Sequence, residues 1–202
     1  MTRFSILYAG FALLALAGAA QAAPLSTEQA LQERIMGDPE APVTIIEYAS
    51  LTCPHCATFH EDVLPQIKKD WIDTGKAKLI YRDFPTAPVA LASYAAMVAR
   101  CAPQDRYFKF LGVFFKQQRN WTGSSDPMKS LAQLARLGGM SQEDFDACTQ
   151  NEALFAGIRE RALDGQMEFD IESTPSFVVD GKMVPGLMSY ADFNDILEDA
   201  AK

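Results

Sequence analysis

Two apolar runs in the first half of the chain have the pattern of buried strands. Val43–Tyr48 is nearly continuous, apolar and rich in β-branched residues, which is typical of a central strand covered on both faces. Residues 78–81 give a second strand. A helical apolar stripe from Pro54 lies between the two, with a kink predicted at Pro65. A strand–helix–strand order predicts a parallel pair joined by a right-handed crossover.

Helical spacing of apolar residues replaces the strand pattern between residues 87 and 165. Strand signals return at Ser176–Val179, where the Asp180-Gly181 turn predicts a hairpin with residues 182–184. A last helix begins after the capping residue Ser189. The two strand-bearing regions therefore flank a long helical block.

This order predicts an α/β fold in which a helical insertion divides a small sheet domain. The first half of the sheet domain is expected over residues 23–86, the insertion over 87–165 and the second half over 166–202. The polar, proline-bearing residues 23–42 are interpreted as a leader that wraps onto the domain. A chain of 202 residues is long enough for one such domain with an insertion.

Composition and charge narrow the functional class. With 49% hydrophobic and 22% charged residues, the chain has enough apolar material for a folded core. The formal net charge is −8, from 18 basic and 26 acidic residues. That balance argues against binding to nucleic-acid phosphates or to anionic lipid surfaces.

The first residues have the organisation of a secretory signal peptide. An arginine near the start is followed by an apolar segment over Phe4–Leu16, and Ala20-Gln21-Ala22 is a small-x-small cleavage site. Cleavage is expected after residue 22, so residues 1–22 are interpreted as the signal peptide. The alternative is an uncleaved membrane anchor, for which the apolar segment is short.

Four cysteines follow the signal peptide, and export into an oxidising compartment favours disulfides. Cys101 and Cys148 each lie on an apolar helical stripe, and we expect them to form a structural disulfide. Two buried free thiols are the alternative. Cys53 and Cys56 are separated by only two residues, and that spacing indicates a different task.

The segment Cys53-Pro54-His55-Cys56 lies where a strand passes into a helix. Unpaired backbone N–H groups at the start of the helix and the helix dipole favour a thiolate at Cys53. His55 can add a donor or a positive charge. Cys56, one turn further along, is expected to be more buried and to act as the resolving thiol. A stabilised thiolate stabilises the reduced form, which makes the disulfide a stronger oxidant.

Two other interpretations of the cysteine pair stay open. Cys53, Cys56 and His60 stand on one helix face and could supply three zinc ligands, although a structural zinc site needs four. An inert structural disulfide is the second alternative. The leading interpretation predicts neither a metal nor a cofactor.

Residues 37–56, with the sequence GDPEAPVTIIEYASLTCPHC, resemble the start of a DsbA-family thiol:disulfide oxidoreductase of the thioredoxin superfamily. The Cys-Pro-His-Cys tetrad, the helical block and Thr174-Pro175 before a strand match the same family. The resemblance implies a thioredoxin fold with an inserted helical domain. This sequence differs from the best-known oxidases of the family at Thr174, where they carry valine. Threonine also occurs at this position in isomerases and reductases of the wider superfamily.

The resemblance also implies roles for individual residues outside the tetrad. Glu47, six residues before Cys53, matches the buried acid proposed to handle the proton of the resolving thiol. Pro175 matches a cis-proline that packs over the active-site disulfide and leaves the backbone of Thr174 free to pair with a substrate strand. His60 has no counterpart with a chemical role, and we expect it to face solvent or a groove.

The function that the resemblance implies is that of a monomeric periplasmic oxidase, which introduces disulfides into reduced secreted proteins through Cys53 and Cys56. Reoxidation would then require a membrane quinone reductase of the DsbB type. A disulfide isomerase or a dedicated thiol reductase on the same fold is the alternative, and a metal-binding module is a third interpretation. A monomer is favoured because prolines before Val43 oppose a long oligomerisation helix.

Overall fold

The computed structural model describes residues 25–184 and 186–202, and the expected signal peptide lies outside them. The described residues form a five-stranded sheet with the order β1-β3-β2-β4-β5. Its strands are β1 Arg34–Met36, β2 Val43–Ala49, β3 Ala77–Asp83, β4 Ser176–Val179 and β5 Lys182–Val184. The expected parallel pairing of β2 with β3 is confirmed, and the other neighbouring strands are antiparallel.

The segment before β2 is more ordered than a wrapping leader. It contains a short helix, α1 Thr27–Leu31, and the edge strand β1, which pairs antiparallel with β3. Arg34 begins β1 and is only 1% exposed, because its guanidinium donates to the carbonyl oxygens of Ala30 and Arg100. A strand of three residues that starts with a buried arginine has no apolar pattern by which the sequence could reveal it.

Alternate side chains of β2 point to opposite faces of the sheet. On one face, Val43 and Ile45 pack with Phe59 and with the last helix of the chain. Tyr48 lies on the other face, where a long helix crosses so closely that a Cβ at Gly165 would lie 2.2 Å from the tyrosine ring. Burial on both faces accounts for the nearly continuous apolar run of this strand.

Helices account for most of the remaining described residues. They are α1 Thr27–Leu31, α2 Pro54–Thr58, α3 Leu64–Ile67, α4 Val89–Cys101, α5 Tyr107–Lys116, α6 Gln118–Thr122, α7 Pro127–Leu137, α8 Gln142–Thr149, α9 Glu152–Phe169 and α10 Tyr190–Ala200. The helical region expected over residues 87–165 corresponds to α4–α9, and α9 continues to Phe169. Among the described helices, none is both long and apolar enough to cross a membrane.

The helical segment that follows the cysteine pair is irregular. A wider π-helical turn over Phe59–Val63 separates α2 from α3, and a second one over Lys68–Ile72 follows α3. Pro65 lies in the first turn of α3 and has no N–H to donate to the carbonyl of Glu61, so the regular α-helical bond is unavailable there. The sequence predicts a kink at Pro65, and the structure has π-helical turns on both sides of the short helix that contains it.

The helical block is anchored at the end of the sheet that bears the cysteines. One buried apolar cluster contains Cys56 and Tyr81 from the sheet domain together with Tyr107 and Phe115 from α5. Beside it, Arg100 of α4 forms a buried ion pair with Asp83 at the end of β3. The block therefore closes over the point where β2 passes into α2.

Candidate active site

Cys53 and Cys56 lie at the junction of β2 and α2. Cys53 immediately precedes the helix in an extended conformation (φ −82°, ψ 119°), and Pro54 occupies the first turn. Proline fits there because a backbone N–H at that position would have no helical partner. Both residues are thiols, Cys53 partly exposed and Cys56 buried with 0% exposure. The pair thus presents one reachable sulfur and one protected sulfur.

The environment of Cys53 stabilises its thiolate and lowers its pKa from 9.0 to about 5. The largest contribution is a hydrogen bond from the thiol of Cys56, which outweighs the opposing effect of desolvation. The side chain of Thr174 and the backbone N–H groups of Cys56 and His55 act in the same direction. At neutral pH, Cys53 is therefore mainly a thiolate, as its position at a helix start predicts.

His55 contributes to this effect through its main chain. Its backbone N–H is one of the groups that lower the pKa of Cys53, whereas its side chain is exposed. The hydrogen-bond donor expected from His55 is therefore its backbone N–H and not its imidazole. This N–H is available because the first N–H groups of α2 have no partner within the helix.

Cys56 has the opposite electrostatic environment. Burial raises the pKa of its thiol, and the neighbouring Cys53 and the negative charge of Glu47 raise it further. A group in such surroundings keeps its proton unless another group accepts it. Attack by Cys56 on a mixed disulfide therefore needs a proton acceptor nearby.

Thr174 and Pro175 approach the cysteines from the last part of the chain. The Sγ atom of Cys53 lies 3.2 Å from the carbonyl oxygen of Thr174, to which the thiol can donate. The Thr174–Pro175 peptide bond is cis. The main chain is tightly packed behind it, since a Cβ at Gly186 would lie 2.7 Å from the carbonyl oxygen of Pro175.

Glu47 and His60 form a buried pair on the same side of the sheet as Cys56. Glu47 is 0% exposed, and the side chain of His60 is 5% exposed. Nε2 of His60 lies 3.0 Å from Oε1 and 3.1 Å from Oε2 of Glu47. The expectation that His60 faces solvent or a groove is wrong. A carboxylate buried in an apolar strand requires a hydrogen-bond donor, and His60, on the helix packed over β2, supplies it.

The structure also bears on the other interpretations of the cysteines. Cys101 of α4 and Cys148 of α8 are joined by a disulfide with an S–S distance of 2.04 Å. In the part of the chain that the structure describes, no group of three or more His, Cys, Asp or Glu residues is suited to a metal ion. His60, the third ligand of the zinc alternative, directs Nε2 to Glu47 instead.

Comparison with known proteins identifies the family. The model of the thioredoxin family matches residues 29–199. The crystal structure of alpha-DsbA1 from Wolbachia pipientis superposes with a TM-score of 0.76 at 31% identity, covering 88% of this chain and 96% of that one. This chain belongs to the DsbA family. The expected thioredoxin fold with an inserted helical domain is thereby confirmed.

Curated proteins of other bacteria are also similar to this chain in sequence. A protein-disulfide oxidoreductase of Rickettsia conorii is 32% identical over 150 residues, which are 74% of this chain and 53% of that protein. Disulfide bond formation protein D of Bacillus subtilis is 25% identical over 170 residues, which are 83% of this chain and 77% of that protein. The chain spans about half the length of the rickettsial relatives that it matches.

In this DsbA-family chain, Gln118 is a site residue that no sequence signal marks. It begins α6, is 3% exposed, and donates from Nε2 to the carbonyl oxygens of Leu51 and Cys53, each at 2.9 Å. Both carbonyls belong to the loop that presents the reachable thiol. A glutamine in a helical block is ordinarily interpreted as a surface residue, so only the tertiary structure reveals that Gln118 fixes the active-site loop.

Proposed function

We propose that this chain is a thiol:disulfide oxidoreductase that introduces disulfides into reduced proteins through Cys53 and Cys56. The observation that carries the proposal is the contrast between the two thiols. The pKa of Cys53 is lowered to about 5, and the pKa of buried Cys56 is raised. Because a stabilised Cys53 thiolate favours the reduced enzyme, the oxidised enzyme accepts electrons readily.

The proposed reaction has two exchange steps. A substrate thiolate attacks Sγ of Cys53 in the oxidised enzyme, the bond between Cys53 and Cys56 breaks, and Cys56 leaves as a thiolate that takes up a proton. A second substrate thiolate then attacks the substrate sulfur of the mixed disulfide, and Cys53 leaves as a thiolate. Its low pKa makes Cys53 a good leaving group in this second step. Two electrons pass from the substrate thiols to the enzyme cysteines.

We assign substrate binding to Thr174 and Pro175. The Thr174 carbonyl lies 3.2 Å from Sγ of Cys53, so a chain attached to that sulfur would run beside this segment. Leu187, which follows the glycine packed against the carbonyl of Pro175, is an exposed apolar side chain. An exposed apolar side chain beside this segment suits an extended, unfolded polypeptide.

The proposed compartment is the periplasm. It is supported by the signal-peptide pattern of residues 1–22 and by the disulfide between Cys101 and Cys148, since such bonds persist in oxidising compartments. In this proposal the enzyme is a monomer, its substrates are reduced secreted proteins, and a DsbB-type membrane quinone reductase restores the active-site disulfide.

A glutathione redox titration of the active-site pair tests the direction of electron flow. An oxidase is expected to have a reduction potential more positive than about −180 mV, the value typical of disulfide isomerases. It should oxidise a reduced, unfolded test protein efficiently and repair a scrambled one poorly, with the variant C53A as the inactive control. The occurrence of Thr174 before the proline favours an isomerase or reductase as the alternative. Strong repair by a stable dimer or trimer, seen by light scattering, would establish that alternative.

A further inference from the structure

Cys56 needs a second group to which its proton can be transferred. Cys56 is 0% exposed, so its proton has no direct path to bulk water. Each cycle of the proposed exchange nevertheless requires Cys56 to lose a proton in one direction and to gain one in the other. Glu47 is the carboxylate whose charge acts on this thiol, and it is also 0% exposed.

Among the described residues, the hydrogen bonds to the Glu47 side chain come from His60 alone. Nε2 of His60 reaches both carboxylate oxygens, at 3.0 and 3.1 Å. The imidazole is held in place by Phe115 of α5, which stacks on it with 4.1 Å between ring centroids, and by the edge of Tyr81 at 6.0 Å. The orientation of Glu47 is therefore set by a fixed ring that is itself able to bind and release a proton.

We propose that His60 is a positioning residue for proton transfer at Cys56, which orients Glu47 and shares with it the proton that Glu47 exchanges with the thiol. The inference rests on the proposed function and deepens it. In the oxidation of reduced enzyme, the proton of Cys56 passes to Glu47, and the Cys56 thiolate attacks Sγ of Cys53 in a mixed disulfide. A bond forms between Cys53 and Cys56, and the partner thiol leaves as a thiolate with the electron pair.

The other titratable groups around the pair are few in the described structure. These groups are Tyr81 of β3, Tyr107 of α5 and Cys56 of α2. Each has a raised pKa, and the negative charge of Glu47 is one of the causes. Burial is the largest cause of the raised pKa in all three. Tyr81 and Tyr107 therefore hold their protons at neutral pH and cannot accept the proton of Cys56.

The test is the reaction of the reduced mature chain with oxidised glutathione, followed by stopped flow at several pH values. Attack by Cys53 gives a first step whose rate rises with glutathione disulfide concentration. Displacement of glutathione by Cys56 gives a second step that is independent of that concentration. The variant H60Q keeps an amide donor but cannot share a proton, so we expect its second step to slow by about tenfold or more and to change its pH dependence. Its first step should be unchanged.

Two further variants separate positioning from packing. F114L removes a buried ring of α5, which packs on Phe110 and not on His60, so it should lower stability in urea and retain the wild-type pH dependence of the second step. E47Q removes the carboxylate through which His60 acts, so E47Q and E47Q/H60Q should have the same second-step rate. The same comparison decides the proposal if H60Q alone does not fold.

An unchanged second step in H60Q, or a further slowing of E47Q by H60Q, would overturn the role of His60. A changed pH dependence in F114L would also overturn it, since a loss of packing away from His60 would then account for the effect. None of these outcomes would contradict the proposed oxidase function. That function fails separately if the wild-type protein does not oxidise a reduced test protein.

Discussion

The Sγ atom of Cys53 lies 3.2 Å from the carbonyl oxygen of Thr174, a residue 121 positions later in the chain. The two strand-bearing parts of the sequence, separated by the helical block, meet at this contact. The reachable thiol is therefore surrounded by groups from the start of α2 and from the loop before β4. Its reactivity depends on the closed fold and not on the Cys-Pro-His-Cys tetrad alone.

The first prediction concerns the thiolate of Cys53. The rate of alkylation of reduced protein is expected to follow a titration with a pKa of about 5. In C56A the rate should follow a higher pKa, because the thiol of Cys56 supplies the largest stabilising hydrogen bond. C53A identifies any signal that comes from Cys56. A wild-type inflection near 9.0, the ordinary value of a cysteine thiol, would contradict the prediction.

The second prediction concerns the stability of the reduced protein as pH changes. The pKa of Cys53 is about 5 in the folded state and 9.0 in its ordinary state, so the unfolded chain binds more protons between these values. The contribution of Cys53 to stability is fully present above pH 9 and is lost as the pH falls through 5. Urea unfolding of reduced protein from pH 5 to 9 should show this rise relative to C53A. Parallel curves for the two proteins would rule out the linkage.

The sequence allowed most of the site to be predicted, and the misses have a physical cause. The cysteine pair, Glu47 and the threonine–proline segment were predictable because each stands in a local pattern or a family motif. His60 and Gln118 were not, because their roles depend on what they meet across the fold. His60 meets Glu47 of β2, and Gln118 meets the carbonyls of the loop before α2.

The third prediction concerns the disulfide between Cys101 and Cys148, which closes a segment with a sequence separation of 47. Removing it in C101A/C148A is expected to lower the free energy of unfolding by about 2–4 kcal/mol. The reason is that the unfolded chain has a higher conformational entropy when no disulfide closes the loop. Urea unfolding of the oxidised wild type and of the variant measures the difference. Equal midpoints and slopes for the two proteins would show that the bond adds nothing to stability.

The fourth prediction concerns the glutamine that fixes the active-site loop. Q118L leaves the carbonyl oxygens of Leu51 and Cys53 without their buried donor, at a cost of about 1–3 kcal/mol. N120A, which changes an exposed residue of the same helix, should stay within about 0.5 kcal/mol of wild type. Urea unfolding compares the three proteins. Equal losses in both variants would argue against a specific role for Gln118.

The fifth prediction concerns the ion pair that ties the helical block to the sheet. Arg100 is 2% exposed and Asp83 is 5% exposed, and Arg100 also donates to the carbonyl oxygens of Ala30 and Gln32. R100M would leave the Asp83 carboxylate buried without its counter-charge. We therefore expect a loss of about 3–5 kcal/mol, typical when one partner of a buried pair is removed.

Lys68 and Asp73 provide the matched control, because their ion pair is about half exposed. K68M should cost about 0–1 kcal/mol, since water screens and solvates both charges. The double variant R100M/D83L removes both buried charges, and its loss should be smaller than that of R100M alone because no unpaired carboxylate remains. Urea unfolding of the three variants measures these differences. If R100M/D83L lost as much stability as R100M, the cost would lie in packing and in the lost carbonyl bonds, and not in the uncompensated charge of Asp83.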